Sequence, residues 1–511
     1  MNRSRTVGRP ATATLRRVVA LVAATALVGA GTAMTWWGTT TPRPTTTQVE
    51  PATVTGPAAD VVYACPQAPR NTIGGVDLGE TTSSTTLTPT GQDATITYGG
   101  TELDAPTTLE TAEGGLLTVE AGGTEPAGAV GAVTTLTASG DLRGLTTAPC
   151  TPPSAVSWMV GGSSAVGTSA ELRLTNPGVT VVTATVRLYG STGEIALPSN
   201  GQVVVPAGQT VGMLLESAGA TDSRVALSVE ADGGTLVPFL VTEALNGETA
   251  AGTEVISPGA APSTDLTVPG VVLVEGADQG EASDQEATGA GAAGETGLVH
   301  RSPVVRVVNP GQEPATVAVS LIGDQGEQPL AGAESVVVDP GAVFDISLAG
   351  TTPGSYGVRV TSDAPVGAAV SLVRSAGEYP ERSGTALRDV AWAQAASPGA
   401  LEAAVVALPR GNGMAPALAL TNSGTTPSTV TLTAADGQWT TQVEVPASTT
   451  VTPTVPEDVG ALRITSSQAQ DLSAAVTVTA QVEGEAAGTL VSTLSPVADA
   501  QALTQRNLVL R

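Results

Sequence analysis

One seven-residue pattern limits what this chain can fold into more than any other feature. Leu172-Arg-Leu-Thr-Asn-Pro-Gly178 returns as Val305-Arg-Val-Val-Asn-Pro-Gly311 and as Leu418-Ala-Leu-Thr-Asn-Ser-Gly424. In each copy the alternate residues before the asparagine are apolar: Leu172 and Leu174, Val305 and Val307, Leu418 and Leu420. A period of two places one face of a strand in a core and the other in water. The corner that follows, Asn176 to Gly178, Asn309 to Gly311 and Asn422 to Gly424, is expected to turn through positive φ. Both residue types tolerate that conformation, and asparagine also hydrogen-bonds its own backbone.

The similarity extends past the corner. Val186-Arg-Leu-Tyr-Gly190 and Val319-Ser-Leu-Ile-Gly323 stand at equal distances from their asparagines, as do Gly208 and Gly341. The third copy keeps the order in shorter form, with Val430-Thr-Leu-Thr433 and then Val445-Pro-Ala447. Elements held in register mark copies of one module. Each copy starts one strand earlier, at Trp158-Met-Val-Gly-Gly162, Val271 to Gly276 and Val405 to Gly411. About seven short strands per copy, broken by Pro/Gly turns, predict an immunoglobulin- or fibronectin-III-like β-sandwich. A propeller is the rival, ranked lower because the copies differ in length. The modules are expected at 154–258, 268–398 and 402–496. An acidic, Gly/Ala-rich insertion, 277–296, is expected to be a disordered loop inside the middle copy. A domain at 61–150 looks less closely related, and 497–511 reads as a weakly ordered tail.

The N-terminal end has a different character. Residues 1–17 carry five of the 21 arginines and no acid, and the rest of the chain sets its arginines against 47 acidic residues. Val18 to Trp37 is apolar or small, about long enough to cross a bilayer. Arginines ahead of it hold that end in the cytoplasm, and Trp36-Trp37 suit the far interface. It is read as a transmembrane helix acting as a signal anchor, or as a cleaved signal peptide with Gly31-Thr-Ala33 at the cleavage site. Either way the remainder lies outside the cytoplasm, membrane-bound and single-pass or secreted. Residues 38–60, rich in Thr and Pro, form a stalk. The acidic surface repels nucleic acid and anionic lipid.

Little catalytic chemistry is on offer. His300 is the one histidine and lysine is absent, which excludes paired-histidine zinc sites, serine–lysine catalysis and the phosphate loop. No cofactor or metal site is expected. Carboxylates are plentiful enough for glycosidase chemistry, but sugar sites favour aromatic platforms, and aromatics are 2% of the chain. Trp158 and Trp392 read as packing residues. Trp439, after Asp436-Gly437, is a weak candidate for ligand contact. The only two cysteines, Cys65 and Cys150, are expected to pair in an exported chain.

The stretch from Ala148-Pro-Cys150 through Trp158-Met-Val-Gly-Gly162 to Leu174-Thr-Asn-Pro-Gly178, with Cys65-Pro66, resembles an uncharacterised family of actinobacterial envelope proteins, a domain of unknown function. The Asn-x-Gly strand end is also similar to bacterial immunoglobulin-like surface modules. The first resemblance implies an anchored envelope protein and assigns no functional residue. The resulting expectation is a tethered, non-catalytic rod of β-sandwiches that spaces, scaffolds or binds partners. A cell-wall glycan or another envelope protein is the candidate partner. An accessory role in wall polysaccharide assembly is the alternative, and a carboxylate hydrolase ranks below both.

Overall fold

A computed structural model describes residues 52–55, 60–73, 79–90, 94–120, 127–275, 302–379, 381–500 and 505–508. The basic tail, the segment 18–37, most of the stalk, the insertion 277–296 and His300 lie outside the described residues. Among the described residues no helix is long and apolar enough to cross a membrane. The chain divides into Met1–Val54 with Asn507–Arg511, and Thr55–Arg506. Ala52–Thr55 pairs with Gln505–Leu508 in a small two-stranded sheet.

Among its described residues the larger unit is all β, apart from three short 3-10 turns. The second module shows the plan. Its strands are, in order, Val156–Val160, Thr168–Thr175, Val182–Gly190, a fourth in two pieces (Gly193–Ile195 and Gln202–Val205), Thr210–Leu214, Ala226–Asp232, Val237–Asn246 and Thr249–Ile256. One sheet runs first, sixth, third, fourth; the other runs fifth, second, seventh, eighth. Along Val182–Gly190 the inward residues Val182, Ala184, Val186 and Leu188 are buried, the alternation that makes a two-layer sandwich. The third module repeats the plan with its sixth and seventh strands fused into Gly354–Glu378, which serves both sheets. The fourth module repeats it from Ala404–Ala407 to Gly488–Leu494.

The sandwich stands, but its strand order is not that of an immunoglobulin domain, in which the first and second strands share a sheet. Here the first strand joins the third and sixth, and the seventh crosses to the second. Nor is the first domain a distant relation: Val61–Cys65 through Gly144–Pro149 form eight strands in the same two orders. The tail after 496 is partly structural. Val497–Ala498 adds a strand beside Ala404–Val405, and Asp499 is buried against Arg463 at 2.7 Å.

None of Gly178, Gly311 and Gly424 has positive φ. Each asparagine is instead a fully buried clamp. Asn176 Nδ2 donates to the carbonyls of Thr180 (2.8 Å) and Val205 (3.0 Å), and its Oδ1 accepts the Gly178 N–H at 2.9 Å. Asn309 does the same with Glu313, Val338 and Gly311, and Asn422 with Thr426, Val445 and Gly424. The glycine is required for closeness: a Cβ at these positions would stand 2.9–3.2 Å from the asparagine Oδ1.

The modules do not form a rod. Ala64 and Ala148 of the first pack on Val237, Phe239 and Val255 of the second. Val308, Val343, Ala369 and Trp392 of the third join the core of the second. Val491 of the fourth sits in the core of the third. Val405, Ala407 and Ala461 of the fourth then meet Val130 and Ala132 of the first. Each of the four modules shares an apolar cluster with the one before it and the one after it, which closes a ring. The four eighth strands, Gly144–Pro149, Thr249–Ile256, Ala386–Gln394 and Gly488–Leu494, lie against one another at its centre. Two of them, Gly144–Pro149 and Thr249–Ile256, are buried at every residue. A solvent-facing edge strand would alternate, so continuous burial is the mark of a strand covered on all sides.

Candidate functional site

Bringing four sheet edges together creates a polar problem. An edge strand points every second N–H and C=O away from its own sheet, and buried groups of that kind need partners. Side chains supply them. Asp389 of the third module accepts the N–H of Val491 from the fourth at 2.8 Å and that of Leu145 from the first at 3.3 Å, both on Oδ2. Ser492 of the fourth accepts the N–H of Thr147 from the first at 2.8 Å, and its hydroxyl donates to Glu254 of the second at 3.2 Å. Two short chains of hydrogen bonds therefore tie all four modules together.

These groups are sealed from water: Asp389 is 0%, Glu254 1% and Ser492 0% exposed. Burial pushes the Glu254 carboxyl well above the usual carboxylate range, against the pull of the Val255 N–H. Burial likewise pushes Asp389 up to about 7, opposed by the Val491 N–H and the Arg143 charge. Arg143, 1% exposed, donates from Nε to the Ala486 carbonyl at 2.9 Å. Burial lowers its pKa, and lowers that of Arg374 to about 10, while the Asp389 charge raises both. Close approach also demands glycine: a Cβ on Gly144 would lie 2.9 Å from Asp389 Oδ1, and one on Gly252 2.7 Å from Val390 N. Two perturbed acids, one of them beside arginines, have the ingredients of acid–base chemistry. Both are buried, and the hydrogen bonds they make join one module to another.

The junctions between modules carry a second set of contacts. Arg173 and Arg306 occupy the same place in the repeated pattern, and each reaches back into the preceding module. Arg173 donates to the carbonyls of Gln67 (3.0 Å) and Ala68 (2.9 Å). Arg306 donates to the carbonyls of Gly162 and of Ser223, and pairs with Asp345 at 2.8 Å. The Arg306 guanidinium lies 4.5 Å from the Trp392 ring centre, a cation–π contact. A Cβ on Gly161 would strike that indole at 2.7 Å, so this glycine admits the neighbouring module, while a Cβ on Gly162 would meet Thr242 of its own module at 2.7 Å. Glu243 of the second module takes the N–H groups of Thr72 (2.6 Å) and Ile73 (2.7 Å) of the first. Arg463 closes the ring, bonding Asp499 and the Thr90 carbonyl.

The residues singled out from the sequence are scattered. Cys65 and Cys150 form a disulfide, joining the end of the first strand of module one to the residue after its eighth. The three asparagine clamps sit in three different modules. Trp439 is half-buried and packs on the core of the fourth module, so its indole is a packing group. Trp158 stacks on Tyr189 with ring centres 5.8 Å apart. Glu254, Asp389 and Ser492 escape a reading of the sequence because no motif surrounds them. Glu254 alone leaves a signal, a single charge in the otherwise uncharged final strand Thr249-Ala-Ala-Gly-Thr-Glu-Val-Ile256. At the surface, a cleft of about 330 Å³ opens between modules one and two, with Pro66, Gly99, Gly100, Gly115, Thr175 and Thr210 among its walls.

A family profile described as "Family of unknown function (DUF5719)" matches residues 105–456. It spans from the fifth strand of the first module to the fourth module, and includes Arg143, Glu254 and Asp389. No curated protein matches the chain.

Proposed function

The chain belongs to the DUF5719 family of unknown function, and from that premise we propose that it is a non-catalytic protein of the cell envelope, acting outside the cytoplasm by binding a partner. The observation that carries this reading is the sealing of the perturbed acids. The groups best suited to proton transfer, Glu254 and Asp389, are consumed in holding four modules together. The Cys65–Cys150 disulfide supports an oxidising compartment. The arginines before residue 18, followed by the apolar stretch 18–37, support export through the membrane with the modules on the far side. Closure into a ring makes the protein a compact platform for a partner, in place of a spacer.

A fusion carrying alkaline phosphatase at the C-terminus, which folds only where disulfides form, tests the location. Phosphatase activity in intact cells is the expected result. An inactive phosphatase, paired with an active cytoplasmic reporter on the same fusion point, contradicts the proposal.

A further inference from the structure

Successive junctions in the ring repeat one another, and one of them is open. At each, the second and fifth strands of the following module turn a facing pair of residues toward the module before it. The pair is Thr175 opposite Thr210 in module two, Val308 opposite Val343 in module three, and Thr421 opposite Thr450 in module four. Val308 and Val343 are fully buried in the core they share with module two. Thr421 and Thr450 are buried as well, 2.9 Å apart. Main chain from module three grips that pair: the Thr450 hydroxyl donates to the Ile322 carbonyl at 2.6 Å and accepts the Gly357 N–H at 3.0 Å.

Thr175 and Thr210 make the same 2.9 Å contact with each other. Yet Thr210 is exposed and Thr175 half-buried, and neither hydroxyl has another hydrogen bond among the described residues. The third and sixth strands of module one, whose counterparts in module three supply Ile322 and Gly357, stand back across the 330 Å³ cleft. The walls they offer are nearly bare backbone. Gly99 and Gly100 turn through positive φ, and a Cβ on either would meet nothing within 4 Å.

We infer that this cleft binds a short extended peptide segment. Its carbonyl and N–H bond the Thr175–Thr210 hydroxyls as Ile322 and Gly357 bond Thr450, and the glycine backbone of module one lines its other side. A peptide main chain offers both a carbonyl acceptor and an N–H donor to such hydroxyls, with little demand on its side chains. The volume is at the small end for a ligand site and suits a few residues. A saccharide fits less well, since Phe239 is the one aromatic ring on the walls. The inference deepens the binding reading proposed above. Its failure would leave the location outside the cytoplasm to be decided by the phosphatase fusion alone.

Hydrogen–deuterium exchange of the full-length protein in lipid nanodiscs tests it, with millimolar N-acetyl-trialanine amide as the probe and tri-N-acetylchitotriose in parallel. The peptide is expected to slow exchange at Gly99–Gly100 and Gly114–Leu116 by about threefold or more at saturation. A Thr175→Val, Thr210→Val double variant, altered only where two side chains face the cleft, is expected to bind about tenfold more weakly. Exchange unchanged by the peptide overturns the inference. So does equal protection in the double variant, and so does protection by the saccharide alone.

Discussion

Replacing Asp389 by alanine is expected to destabilise the ring by about 4 kcal/mol at about pH 5.5, read from urea unfolding. The side chain is fully buried and accepts N–H groups from two other modules. Each of those donors, left in the interior without an acceptor, costs about 1–3 kcal/mol, and the vacated space adds to this. Asp389→Asn keeps an acceptor in place and should cost under about 2 kcal/mol. The pH dependence separates charge from hydrogen bonding. An acid raised to about 7 in the fold holds its proton to higher pH than the unfolded chain does. The folded ring therefore binds the extra proton between about pH 4 and pH 7. The stability this provides is complete below that window and lost as pH rises through 7, by an amount on the order of 4 kcal/mol. Asp389→Asn removes that slope, so its deficit relative to wild type should shrink as pH rises. A deficit that grows with pH would mean that the carboxylate is stabilised as an anion.

Removing the disulfide, by Cys65→Ala with Cys150→Ala, is expected to cost about 4–5 kcal/mol in the chain-entropy account. The bond spans a separation of 85 residues and so restrains most of the first module in the unfolded chain. Its position adds a structural consequence. Cys150 follows directly on Gly144–Pro149, the strand that module one contributes to the ring centre. Slack there reaches the contacts of Leu145 with Asp389 and of Thr147 with Ser492. Urea unfolding of the double variant should therefore show a lower midpoint with fluorescence of Trp158 and Trp392, which lie in other modules. A shift below about 1 kcal/mol would show that the module is held by its sheets alone.

The repeated Asn-x-Gly pattern is enough to read the strands, the sandwich and three of the four modules. Strand alternation is written directly into side-chain order, as at Leu172 and Leu174. The first module is harder to see because it lacks the asparagine clamp and builds its second strand, Thr81–Pro89, largely from threonine. The immunoglobulin-like strand order fails for a related reason: which sheet a terminal strand joins is decided by partners far away in the chain. Ring closure is also a property of distant contacts. Its trace in the sequence is slight, a final strand in each module with small or apolar residues on both faces. The lone charge at Glu254 and the Arg388-Asp389 pair look like surface positions until the four strands are assembled. The asparagine's backbone bond is legible, whereas the glycine's role is not, since crowding by Asn Oδ1 and positive φ both call for the same residue.

Small-angle scattering on the chain from residue 52 onward tests the closed ring most directly. Four modules closed on a shared centre predict a radius of gyration of about 22–25 Å, the value for a compact body of this length. The same modules strung end to end, each about 35 Å long, would give about 40 Å and an elongated distance distribution, and that result would contradict the ring.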